Sequence, residues 1–152
     1  MSRAPYNVLV LPYYFNEENI EYCIFKRSDL KIWQFISGGG EDNESPQQAA
    51  IRESFEEAGI LNNNKYNKLV SMCYVPVENF SEAARETWGD SLVIPVYSFS
   101  VNLDTKKITI SDEHTEFKWC KYEEAKESLY FDLDKTALFE LNGLLKKNEK
   151  SF

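Results

Sequence analysis

Three glutamates, Glu53, Glu56 and Glu57, stand at i, i+3 and i+4 directly after Arg52 in the segment RESFEEAGI. On a helix this spacing puts their carboxylates on one face. The arrangement is costly, because like charges four residues apart repel and the C-terminal end of a helix favours cations. A solvated acidic face would tolerate that cost. However, Arg52 can neutralise only part of the cluster, and a glycine-rich loop, Gly38, Gly39 and Gly40, enters the helix from the other side. Clustered hard oxygen ligands on a rigid element are what Mg²⁺ requires, with Mn²⁺ as the alternative, so the face reads as a divalent-metal site.

A second acidic stretch, SDEHTEFKW at 111–119, supplies Glu113 and Glu116 in an expected loop before a strand. A glutamate bound to metal has a lowered pKa and is a poor base, so a carboxylate outside the helix is the candidate for activating water. Glu53 is the rival inside the helix, and a solvated acidic loop is the plain alternative. His114 is the only histidine. It reads as a substrate contact or loop hydrogen-bonder, since no carboxylate is fixed by sequence to orient it. Trp33, Phe80 and Trp88 are candidates for stacking on a flat ring, with satellite packing as their ordinary role.

The elements that must position these residues can be read locally. Ser45 is a good N-cap, Pro46 suits the first helical position, Gln48 completes a capping box, and Gly59 is placed to end the helix. Residues 6–13 and 20–27 read as a hairpin and 33–37 as a short strand running into the glycines. Further strands are expected at 68–77, 92–103, 106–110 and 116–120. Residues 61–67 read as a loop and 78–90 as a short helix or loop. Helices are expected at 122–129 and 135–147, the second packing through Ala137, Leu138, Leu141, Leu144 and Leu145 and fraying after Lys147.

The segment 38–60 resembles the Nudix box, G-x5-E-x7-R-E-U-x-E-E-x-G-U with U aliphatic. Gly38, Glu44, Arg52, Glu53, Glu56, Glu57, Gly59 and Ile60 fall in register, and Ser54 stands where an aliphatic residue would pack the helix on the sheet. The resemblance implies a single domain over 1–152, of α+β class: an α/β/α sandwich around a mixed β-sheet. It implies metal-assisted hydrolysis of a pyrophosphate link in a nucleoside diphosphate joined to another group. By position, Glu53, Glu56 and Glu57 would be metal ligands, the Gly38 carbonyl a further one, and Arg52 the residue that orients the glutamates. Glu44 would contact the loop or Arg52. The stretches around 33–45, 111–119 and 131–138 are similar to the bacterial branch that cleaves dATP and dihydroneopterin triphosphate. Within that pattern Glu113 is favoured as base, Glu116 second. Diadenosine polyphosphate hydrolysis, or a noncatalytic nucleotide sensor, are the competing readings.

The whole chain limits its partners. A net charge of −8 with no basic cluster larger than Lys146-Lys147 argues against long RNA or DNA, which proteins hold chiefly through phosphate contacts. A small polyphosphate is compatible, because bound metal inverts the field of an acidic site. No apolar run approaches the roughly 20 residues of a membrane span, and the first residues lack a signal-peptide layout, so a cytoplasmic protein is expected. Cys23, Cys73 and Cys120 lie far apart among apolar neighbours and read as buried thiols. The oligomeric state stays open, a homodimer included.

Overall fold

One long strand organises the molecule, whose computed structural model describes residues 2–149. The end of β1 (Arg3–Asn16) pairs antiparallel with the start of β2 (Asn19–Arg27), giving the expected hairpin. Its first half pairs antiparallel with β4 (Ile36–Glu41), Val8 opposite Gly38. Its other edge lies parallel to β6 (Val93–Asn102), Val10 opposite Phe99. β3 (Trp33–Gln34) and β7 (His114–Cys120) attach to β2, and β5 (Lys65–Pro76) to β6. The result is a mixed sheet of seven strands.

Alternation along β1 builds the two cores. Val8 and Val10 pack with Ala49, Ala50 and Ala58 of α1 (Pro46–Ala58). Leu9, Leu11 and Tyr13 face the other way, towards Ala125 of α2 (Tyr122–Ser128) and Ala137, Leu138 and Leu141 of α3 (Asp132–Glu149). Helices thus cover both faces, as the α/β/α reading required.

Several boundaries differ from expectation. The glycine run lies within β4 instead of a loop, and β5 begins at Lys65, inside the expected loop. Residues 106–110 form no strand: the Thr109 N–H bonds the Ala58 carbonyl, so this stretch lies over the end of α1. Residues 77–79 make a 3₁₀ turn and turns follow to residue 90. His114 and Glu116 belong to β7, not to the loop before it. Leu144 of α3 is 46% exposed and lies outside the packed stripe. Fraying after Lys147 concerns 148–149, where α3 continues, and 150–152, outside the described residues. Cys23 and Cys120 are buried free thiols and Cys73 is half-buried; burial pushes all three pKa values up. Among the described residues no helix is long and apolar enough to cross a membrane.

Asp134, near the start of α3, reaches the sheet and accepts a hydrogen bond from the Phe35 N–H at 2.9 Å, between β3 and β4. Burial pushes its carboxyl up to about 7. A carboxyl raised on folding binds protons more readily in the native state, so stability should fall as pH rises from about 4 towards 7 and stay lower above. Asp134→Asn should remove that part of the slope. Urea denaturation of both proteins at pH 5 and pH 8, in chelator, measures it; equal slopes would show that the carboxyl is not desolvated as its burial demands.

Candidate active site

α1 starts and stops as its sequence dictates. The Ser45 side chain accepts from the Gln48 N–H at 3.2 Å, the Gln48 side chain accepts from the Ser45 N–H at 2.9 Å, and Gly59 takes the left-handed conformation, φ 69°, as C-cap. Ser54, at the usually aliphatic position, is fully buried and donates its hydroxyl to the Ala50 carbonyl at 2.7 Å. The local bond satisfies the Ser54 hydroxyl, so the residue can be buried on the helix without an aliphatic side chain.

Arg52 is the hub of the box. Its Nε and Nη2 donate to the two Glu44 oxygens at 2.7 and 3.0 Å, Nη2 also to the Gly39 carbonyl at 2.7 Å, and Nη1 to Glu53 at 3.0 Å and Glu56 at 3.2 Å. All five guanidinium N–H groups are therefore used. The bond to Glu44 first, then Glu53, raises the Arg52 pKa, while Arg52 holds the Glu44 carboxyl below its usual range. Glu44 also accepts from the Glu41 N–H at 2.9 Å, so it ties β4, the turn and α1 together.

The three glutamates separate into two roles. Glu56 is turned outward to Arg52. Glu53 and Glu57 point inward, and Glu57 lies against both Glu113 and Glu53. Glu57 is 3% exposed, and both carboxylate oxygens are buried without a hydrogen-bond partner. Burial, then Glu113 and Glu53, push its pKa up to about 11. Burial also raises Glu53, partly offset by Arg52. An orphaned buried carboxylate between two others fits a divalent cation, which would satisfy those oxygens and reverse the repulsion. Among the described residues no three side chains stand in finished coordinating geometry. Glu53, Glu57 and Glu113 meet as pairs around Glu57.

The glycines explain how this closes up. A Cβ on Gly38 would overlap the Glu53 carboxylate, one on Gly39 the Arg3 guanidinium, and one on Gly40 the Tyr6 ring. The run clears β4 so that the Glu53, Arg3 and Tyr6 side chains can cross its faces. Gly38→Ala should leave the melting temperature nearly unchanged, since the obstructing atoms are the far end of a flexible side chain. Turnover should fall about 10- to 100-fold as Glu53 is displaced. Full turnover in a folded variant would show that the Glu53 position is not demanding.

Two neighbouring cavities open here, the first reaching the carboxylates through Glu113. A polar one of about 450 Å³ is lined by Arg3, Arg27, Gly38, Gly39, Glu113 and His114 among others. An apolar one of about 390 Å³ includes Leu9, Val75, Phe80, Val96, Phe131 and Asp134. They share Asn7, Arg27, Gln34 and Ser37. His114 is 4% exposed, its ring 5.3 Å from that of Phe25, and neither ring nitrogen has a partner. Burial lowers its pKa, against the pull of Glu113, and favours neutral imidazole.

Other expected site residues fall elsewhere. Glu116 faces Lys26 at 3.8 Å and lines neither cavity. Trp33 also lines neither, because its ring packs on the α2/α3 core with the Lys118 ammonium 4.6 Å above it, while its neighbour Gln34 reaches both cavities. Phe80 does line the apolar cavity. Trp88 does not: it is 6% exposed, edge-on to Phe80 at 5.4 Å, and its Nε1 donates to the Arg3 carbonyl at 2.7 Å. Arg3, Arg27, Gln34 and Asp134 escape a reading of the sequence, since nothing in their local pattern marks them; only the sheet assembles them.

A NUDIX domain model matches residues 6–140. The chain belongs to the Nudix family. It carries the arginine and all three glutamates of the box, Arg52, Glu53, Glu56 and Glu57. A Listeria monocytogenes protein named as a candidate NUDIX hydrolase is similar over 95% of this chain and 97% of its own, at 38% identity and a TM-score of 0.85. The dihydroneopterin triphosphate pyrophosphohydrolase of E. coli shares the fold at 21% identity, with a TM-score of 0.73 over 93% of this chain and 99% of that one. An RNA pyrophosphohydrolase of Aliivibrio fischeri is 46% identical over 39 residues, 26% of this chain. That match spans only 23% of the relative's length.

Proposed function

We propose that this Nudix protein hydrolyses a nucleoside or pterin triphosphate to the monophosphate and pyrophosphate, using Mg²⁺ or Mn²⁺. The observation that carries the reading is the Glu57 carboxylate, buried without a partner between Glu53 and Glu113, the second of which lines the polar cavity. Glu53, Glu57 and Glu56, with the Gly38 carbonyl, would hold the metal. A bound divalent cation would draw charge from the phosphate oxygens as the leaving group departs. Arg52 fixes Glu53, and Glu56, which faces Arg52 in this structure, would turn inward to join the metal. Glu113 takes the proton of the attacking water, being the carboxylate here that comes from outside the helix. His114, neutral and unpaired, offers one donor and one acceptor to the substrate.

The adjoining cavities support a two-part substrate. Phosphates occupy the polar cavity, and a flat ring lies in the apolar one beside Phe80 and Phe131. Long nucleic acid is disfavoured by the net charge of −8. The likeness to RNA pyrophosphohydrolases makes a short 5′-triphosphate RNA the comparison to include.

The test is a panel of nucleoside triphosphates, dihydroneopterin triphosphate, diadenosine polyphosphates and triphosphate RNA with Mg²⁺ or Mn²⁺, products resolved by chromatography. Monophosphate plus pyrophosphate from a mononucleotide or pterin supports the reading. Preferred cleavage of a dinucleoside polyphosphate, or binding without turnover of any compound, would replace it.

A further inference from the structure

Arg3 is a cation at the polar cavity that the hydrolytic chemistry above leaves without a task. Its Nη1 donates to the carbonyls of Ala4 at 2.7 Å and Tyr6 at 2.9 Å, and its Nη2 to the Asn7 side chain. Its Cζ stands 5.4 Å from the Phe80 ring centre and 5.7 Å from that of Trp88. Gly39 leaves it room to cross β4. The guanidinium is thus held by two carbonyls, an amide and two rings, a degree of fixation unusual for a long side chain beside the chain terminus.

Fixing the N-terminal strand accounts for three of the five guanidinium N–H groups; two carry no hydrogen bond among the described residues. Arg3 nevertheless lines the cavity with Gly38, Gly39 and Glu113, and Glu53 is the strongest charge acting on it. No ion pair joins Arg3 to Glu53 among the described residues, so it does not serve to neutralise the box as Arg52 does. A rigid guanidinium with two open donors beside a metal site suits a tetrahedral anion already partly held by metal.

We propose that Arg3 is a substrate-binding residue that takes a non-bridging oxygen of the polyphosphate chain, its guanidinium held in place by Phe80, Trp88 and the space above Gly39. The inference rests on the triphosphate reading and assigns the N-terminal strand a part in substrate choice. Arg3 favours substrates with an accessible anionic phosphate over neutral or capped ones.

The test needs no turnover. Calorimetric binding of inorganic tripolyphosphate at saturating Mg²⁺ is compared for wild type, Arg3→Gln, Arg3→Lys and Trp88→Phe, with melting temperatures and Mn²⁺ affinity as controls. Arg3→Gln should weaken tripolyphosphate binding at least about tenfold, and Arg3→Lys should recover part of it, since charge remains but the planar fork is lost. Mn²⁺ affinity should not fall. Trp88→Phe keeps a ring beside the guanidinium and loses the bond to the Arg3 carbonyl, so it should weaken tripolyphosphate binding by less than Arg3→Gln does, and an equal loss would show that loosening alone accounts for the effect and overturn the inference. If all three variants lower the melting temperature yet bind tripolyphosphate like wild type, Arg3 is a structural anchor only and the inference fails by itself. If wild type binds no tripolyphosphate with Mg²⁺, the triphosphate reading fails, and the inference with it.

Discussion

Glu57→Gln is expected to raise the melting temperature of the metal-free protein at pH 8 while reducing turnover at saturating Mg²⁺ by about 10²-fold or more, since disturbing even a ligand's hydrogen-bond partner costs about 10- to 100-fold. The two effects have one cause. The Glu57 carboxyl is buried against two other carboxyls without a hydrogen bond, and its pKa is pushed far above the ordinary glutamate value of 4.5. A raised carboxyl makes the native state bind a proton that the unfolded chain has released, so stability falls as pH rises above about 4.5. Glutamine has no such proton to hold. The stabilising difference should therefore open above that pH and vanish below it, each kcal/mol adding about 2–4 °C in a domain of this size. Adding Mg²⁺ should reverse the order, because the wild-type carboxylate then gains a cation and the glutamine gains little. Thermal melts in chelator and in Mg²⁺, at pH 4 and pH 8, measure both signs. Turnover within a few-fold of wild type would sink Glu57 as a ligand, and a lower melting temperature in chelator would show that the carboxylate is satisfied by the fold itself.

The box could be read from sequence because its determinants are local. Ser45, Pro46, Gln48 and Gly59 fix the ends of α1 within its own length, and the i, i+3, i+4 spacing fixes which carboxylates are neighbours. Direction was not legible. Glu56 turns out to Arg52 and Glu57 turns in, a division set by how the helix sits on β1 and β4. In the sequence the glycine run reads as a loop leading into the helix, whereas it lies in β4. Its reason for being in a strand is tertiary, in that side chains from α1 and β1 pass over each position. Residues 106–110 alternate like a strand, yet the Thr109 N–H pairs with the end of α1 and the partly buried Ile108 and Ile110 pack on the α1-side core. Alternation reports burial, not the identity of the hydrogen-bond partner. Trp33 and Gln34 show the same limit in two residues: composition favoured the tryptophan for the site, and the pleat of β3 placed the glutamine there. The link between Asp134 and Phe35 spans 99 residues and leaves no local trace.

Glu113→Gln separates proton transfer from metal holding. Glu113 lies in the turn before β7, where the Glu113 carbonyl accepts from the Ser28 N–H at 2.9 Å and the Ser28 hydroxyl donates to the Asp112 carbonyl at 2.8 Å. The backbone that carries it is thus tied to the end of β2, across the polar cavity from β4. Its side chain lines that cavity and lies against Glu57. A carboxylate placed there can act on water beside a cation held by α1, and its neutral isostere keeps the shape while losing the proton acceptor. If Glu113 is the base, kcat should fall by about 10² to 10⁴ while Mn²⁺ affinity and the melting temperature in Mg²⁺ change little. Glu116, paired with Lys26 and outside both cavities, supplies the control: Glu116→Gln should leave kcat within about twofold. The contact with Glu57 sharpens the alternative. If Glu113 instead completes the coordination, glutamine should weaken Mn²⁺ binding together with kcat, and raising the metal concentration should recover part of the rate. Single-turnover rates across a Mn²⁺ titration distinguish the two cases, because a lost base lowers the plateau whereas a lost ligand shifts the midpoint. An unchanged plateau and midpoint would leave Glu53, the remaining inward carboxylate that also contacts Arg52, as the group that takes the proton.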